Sequence, residues 1–65
     1  MTKEEAIKAM SEGKKITHRY FSQDEWATIS NGKILLEDGV QCSITEFFKW
    51  RKDPSFDTDW SLWKE

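Results

Sequence analysis

One thiol and one imidazole are present, Cys42 and His18. A thiol hydrogen-bonded to an imidazole is the simplest covalent catalyst a short chain can build. Such a dyad also needs a third group to orient the ring. The sequence places no Asn or Asp for that role. The competing reading is a half-buried strand cysteine, behaving as a small hydrophobe, and a surface histidine.

Asp53, Asp57 and Asp59 form a carboxylate cluster. A calcium loop needs ligands at fixed positions around a central glycine, and that pattern is absent. The cluster reads instead as turn and cap chemistry, in which Asp bonds its own backbone. Paired carboxylates for glycoside chemistry need a cleft to hold them apart, and a chain this short leaves little room for one. No P-loop, dinucleotide-binding glycine motif or nucleophile elbow is present. No metal and no cofactor are expected.

The basic residues offer more. Lys14, Lys15, His18 and Arg19 stand close in sequence, with Tyr20 and Phe21 beside them. Cations next to aromatic rings can hold an anionic or nucleotide-like ligand by charge and stacking. Lys14, Lys15, Arg19 and Tyr20 are the candidate ligand-binding set. The plainer reading is helix C-terminal charge plus a solvated strand face. Lys49, Arg51 and Lys52 make a second basic patch beside Trp50, the composition of a single-strand binder. A net charge of −2, from 10 Lys plus Arg and 12 Asp plus Glu, argues against a dedicated nucleic-acid binder.

The elements that must position these residues are legible. Thr2 and Glu5 form a capping box. Ala6, Ile7 and Met10 make an apolar helical stripe, and Gly13 is a natural helix terminator. Residues 16–21 alternate as a strand. Asn31-Gly32 predicts a two-residue hairpin turn, pairing Ser30 with Lys33, Ile29 with Ile34, Thr28 with Leu35 and Ala27 with Leu36. Asp38-Gly39 is a second turn signal. Read as a tight two-residue turn, it puts Val40 and Cys42 on the face of Trp26 and Leu35. Both sheet faces then carry apolar side chains, so either helices cover both or one face meets a partner. Ser43 to Glu46 repeats the capping pattern. Ile44, Phe47 and Phe48 share the face of a second helix that ends at Asp53-Pro54. Residues 60–64 close the chain as a short strand. The expected fold is α+β in one domain, residues 1–65: a helix, a three- to four-stranded antiparallel meander, a second helix and a terminal strand.

A 65-residue chain is marginally stable by default. With one cysteine and one histidine it has neither a disulfide nor a Cys/His zinc site to staple it. Four Trp, four Phe and one Tyr can build a dense core, but burying all nine is difficult. The remainder would mark a contact surface, for which Trp26, Leu35, Trp50 and Trp63 are the candidates. No apolar run reaches the ~20 residues of a membrane span, and the first residues lack the apolar stretch of a signal peptide. A lone cysteine agrees with the cytoplasm, the expected location.

Residues 5–16 read EAIKAMSEGKKI and residues 58–63 read TDWSLW. The two strings resemble those of small phage- and prophage-encoded proteins, which open on EA(I/L)-x-A-x-x-x-GKK and close on a DW strand. The phage Thoeris anti-defence family has this layout. Gly13, Lys14 and Lys15 match its opening motif, and Asp59 and Trp60 its close. Phe21 sits near where that family usually has a tryptophan, and EDGVQCSITEFFKWR has no counterpart. The resemblance implies a phage or mobile-element origin, hence a host cytoplasm. It also implies a sponge for a nucleotide-derived immune signal, bound between protomers. Two functions are therefore expected. The first is a non-enzymatic binding protein that self-associates, as a homo-oligomer, or binds a host protein through an aromatic surface. The second is a binder of an anionic nucleotide-like molecule.

Overall fold

The computed structural model describes residues 1–64. Helix α1 (Lys3–Ser11) is followed by strands β1 (Ile16–His18), β2 (Ala27–Ser30), β3 (Lys33–Leu36) and β4 (Gln41–Cys42). Helix α2 (Ile44–Lys49), a 3₁₀ turn (Pro54–Phe56) and strand β5 (Trp60–Leu62) complete the chain. The five strands form one antiparallel sheet in the order β4-β3-β2-β1-β5. This is an α+β fold, with the closing strand paired to β1 inside the same chain.

The helix ends follow local chemistry. The Thr2 hydroxyl accepts from the Glu5 amide while the Glu5 carboxylate accepts from the Thr2 amide. That backbone hydrogen bond holds the Glu5 carboxyl below its ordinary pKa. At the other end Lys14 N–H reaches the Ala9 carbonyl and Gly13 N–H the Met10 carbonyl. Those paired bonds need a left-handed residue, and Gly13 supplies it at φ +87°. In α2 the Ser43 hydroxyl caps the Glu46 amide. The helix stops at Lys49, earlier than the proline signal predicts, and Asp53 instead caps the 3₁₀ turn through the Ser55 amide. That bond holds the Asp53 carboxyl low.

The β2–β3 register is the predicted one, Ala27 opposite Leu36 through to Ser30 opposite Lys33. The β3–β4 register is not. The Gly39 amide bonds the Leu36 carbonyl and the Leu36 amide bonds the Val40 carbonyl. Glu37, Asp38 and Gly39 thus form a three-residue loop, closed by Gly39 in the left-handed region at φ +88°. One extra loop residue moves every following side chain to the other face. Cys42 therefore pairs with Ile34 on the core side and Gln41 pairs with Leu35. Val40 is left exposed.

Both helices pack on one face of the sheet. Ala6, Ala9 and Met10 of α1 and Phe47 and Phe48 of α2 meet Ile16, Ala27, Ile34 and Trp60 in a single buried cluster. Trp60 is its centre. Its ring lies 4.6 to 6.4 Å from those of His18, Phe21, Phe47, Phe48 and Phe56. Its indole N–H donates to the Phe56 carbonyl at 2.8 Å. Arg51 closes this layer from the side, with its guanidinium 4.0 Å from the Phe47 ring centre and 2.8 Å from the Phe47 carbonyl. Burial lowers the Arg51 pKa. Among the described residues no helix is long and apolar enough to cross a membrane.

Candidate functional site

The other face of the sheet has no helix over it among the described residues. Its composition follows from the registers. Ser61 pairs with Thr17, Thr28 with Leu35, and Leu35 with Gln41. Extending β1 and β5 by one residue sets Lys15 beside Trp63, whose amide bonds the Lys15 carbonyl at 2.9 Å. One row across the sheet therefore reads Trp63, Lys15, Thr28, Leu35, Gln41. A second row holds Ser61 and Thr17, with Trp26 just before β2.

Lys15 is held between two indoles. Its ammonium is 4.5 Å from the Trp26 ring centre and 5.4 Å from that of Trp63. The two rings are 6.1 Å apart. An ammonium over an aromatic face is attracted by the ring quadrupole. The Trp63 indole N–H donates to the Gln23 carbonyl at 2.9 Å, which fixes that ring at the sheet margin. Thr28 lies beneath, buried, with its hydroxyl donating to the Lys14 carbonyl at 2.8 Å. Trp26, Leu35 and Trp63 are each half-buried. Lys33 belongs to the same face, because it alternates with the buried Ile34. Within the strands this face carries Lys33 and no carboxylate, and one residue beyond them Lys15 precedes β1 and Glu37 follows β3.

An open groove of about 450 Å³ adjoins this face, lined by Gly13, Lys14, Lys15, Leu62, Trp63 and Lys64. Lys14 leans to Glu12 at 3.5 Å. The structure thus joins Lys14 and Lys15 of the sequence-based ligand set to Trp26, Leu35 and Trp63 of the sequence-based contact set.

It separates the others. Arg19 and Tyr20 lie at the opposite end of β1 from Lys14, about 16 Å away along an extended strand. Arg19 faces Asp59 at 3.9 Å. Tyr20 is exposed, with its ring 6.0 Å from that of Phe56. Trp50 is on the helix layer at the end of α2, 80% exposed. It shares no face with Trp26, Leu35 and Trp63.

His18 is the clearest correction. It is not a surface histidine but is 3% exposed in the aromatic cluster. Its Nδ1 accepts the Tyr20 amide at 3.1 Å. The proton therefore belongs to Nε2, which donates to the Thr58 carbonyl at 2.8 Å and the Ser55 carbonyl at 3.0 Å. The ring is a structural clamp between β1 and the segment before β5. Cys42 lies on β4, three strand spacings or about 14 Å from β1, so the thiol–imidazole dyad does not form. Among the described residues no three metal-ligating side chains converge. The aspartates are dispersed instead: Asp53 caps the 3₁₀ turn, Asp57 accepts the Lys3 amide through its carbonyl, and Asp59 faces Arg19.

No local pattern places a lysine between two tryptophans. Lys15, Trp26 and Trp63 are distant in the chain and meet only through the β2-β1-β5 strand order. Compared with known protein families, curated proteins and solved structures, the chain finds no match.

Proposed function

We propose that this chain is a non-enzymatic binding protein whose helix-free sheet face, centred on Trp26, Lys15 and Trp63, contacts an acidic partner protein. The supporting observation is the lysine held between two half-buried indoles on that face. Tryptophans in such settings are favoured anchors of protein contacts. The charge of the face selects the partner: the exposed Lys33 points to an acidic surface, because complementary potentials steer association and exclude like-charged surfaces. A symmetric contact between two copies sets the same patch against itself and so brings the lysines together. With Cys42 turned to the core, the face is also less apolar than a two-residue Asp38-Gly39 turn would make it. On the phage origin that the sequence resemblance implies, the partner is a host protein.

A photoreactive residue at Ser61, which is exposed on this face, tests the reading in cells. A covalent adduct with an acidic protein supports it. Adducts between copies of this chain point to self-association instead, and no adduct at all removes the reading.

The groove beside Trp63 favours a second reading, an anionic nucleotide-like ligand held by Lys14, Lys15, Lys64 and an indole. At 100-fold excess over Kd such a ligand stabilises the fold by about 2.7 kcal/mol. Thermal-shift measurements with cyclic nucleotides test it, and an unmoved Tm contradicts it.

A further inference from the structure

A second recognition surface lies on the helix layer. Helices α1 and α2 run over the same sheet face and leave a groove of about 590 Å³ between them. Ile7, Ile44 and Phe48 form its floor, and Lys3, Lys49 and Lys52 stand around it. The remaining lining residue is Thr45, so no carboxylate lines the groove. Lys3 reaches across the floor, its ammonium 4.7 Å from the Phe48 ring centre. Lys49 reaches the other way, to 5.6 Å from the ring centre of Trp50. Trp50 thus stands beside the groove as the most exposed large apolar side chain among those described, at 80%.

We infer that this groove receives an amphipathic helix of a partner protein, carrying acidic residues on both sides of an apolar stripe. The lining favours a helix. Ile7, Ile44 and Phe48 form an apolar run between α1 and α2, with Lys3, Lys49 and Lys52 as its charged neighbours. An apolar stripe at positions i, i+3, i+4 and i+7 is the usual occupant of such a trough. The charge fixes the flanks. Three lysines and no carboxylate border an apolar floor in a chain that is acidic overall. Acidic flanks meet those lysines, while basic flanks are repelled. Trp50 supplies a rigid anchor at the margin, and exposed tryptophan is the residue type most enriched where contact energy concentrates. The site is distinct from the Trp26–Lys15–Trp63 face, which lies on the other side of the sheet.

The test uses two synthetic helical peptides of about four turns. Both carry the same leucine stripe, one flanked by glutamates and one by lysines. Binding is followed by amide chemical shifts of the labelled protein. The glutamate peptide is expected to bind and to shift Ile7, Thr45, Phe48 and Trp50 while leaving Thr17, Thr28 and Leu35 in place. The lysine peptide is expected not to bind. Lys52→Glu should weaken the glutamate peptide at least about tenfold, as reversal of an interfacial charge does.

Thr45→Glu provides a variant that keeps the fold. Position 45 is in the first turn of α2, where an added acid suits the helix dipole, yet it introduces negative charge into the groove. Its Tm should be unchanged or raised and its peptide affinity lost. Equal binding of both peptides overturns the proposal. So do shifts confined to the sheet face, or a Thr45→Glu protein that binds normally. Binding to phosphatidylserine vesicles in place of the peptide overturns it in favour of a membrane surface.

Discussion

The two faces of the sheet use tryptophan in opposite ways. On the covered face Trp60 is 2% exposed and surrounded by five other aromatic rings. Its one polar atom is satisfied by the Phe56 carbonyl. On the open face Trp26 and Trp63 are half-buried, and what they enclose is a charge. The covered face satisfies its polar groups internally. Among the described residues no buried side-chain nitrogen or oxygen lacks a partner, and His18 bonds three backbone groups. The open face displays hydroxyls, an amide and ammonium groups to solvent. The difference separates stability from recognition: the covered face holds a 65-residue chain together without a staple, and the open face is available for contact.

The comparison predicts a steep asymmetry in mutational cost. Trp60→Ala should be the most damaging change, at about 3–5 kcal/mol for a large core aromatic, read from the urea midpoint. A cost similar to that of Trp26→Ala would break the division between faces. His18→Leu keeps an apolar ring site but strands Tyr20 N–H and the Ser55 and Thr58 carbonyls. Its expected cost is about 3 kcal/mol, since each unsatisfied buried group costs ~1–3 kcal/mol where solvent cannot reach it. A fully stable His18→Leu protein would show that the clamp is dispensable.

Gly39→Ala tests the loop that turned Cys42 inward. It places a Cβ in the left-handed region at φ +88°, for about 1–2 kcal/mol. Native Cys42 should in addition react with a thiol reagent at least about tenfold more slowly than in urea, where opening exposes it. Trp26→Ala should cost about 1–2 kcal/mol, well below Trp60→Ala, because its ring is only half-buried. Acid should produce the smallest effect. The folded-state Glu5 pKa is lowered by its bond to the Thr2 amide. Its contribution is therefore complete above the ordinary glutamate value and is lost as pH falls through the lowered one. Glu5→Gln should flatten the acid limb of Tm against pH, and an unchanged limb would exclude the capping box as its source.

Much of the covered face was legible in sequence because local rules govern it. Capping signals, the Gly13 terminator and the Asn31-Gly32 turn each act within a few residues, and they set α1, the start of α2 and the β2–β3 register. Trp60 was legible as the start of a short closing strand. The failures came where a choice of one residue or a distant contact decides. Asp38-Gly39 suits a two-residue or a three-residue loop, and only pairing with β3 selects the longer. His18 reads as polar until the carbonyls of Ser55 and Thr58 are brought to it by the turn before β5. The candidate site was half legible. The types of Lys14, Lys15, Trp26, Leu35 and Trp63 marked them out, but their assembly depends on strand order. Arg19 and Tyr20 were grouped with Lys14 by sequence proximity alone, which an extended strand converts into distance.

The most direct test of the two-face account combines a photoreactive residue at Ser61 with Lys33→Glu. Lys33 is exposed on the open face, so its charge reversal should leave the urea midpoint unchanged and abolish capture of the acidic partner. Capture that survives Lys33→Glu, or that proceeds equally from a photoreactive residue at Glu4 on α1, would contradict the assignment of the open sheet face as the contact surface.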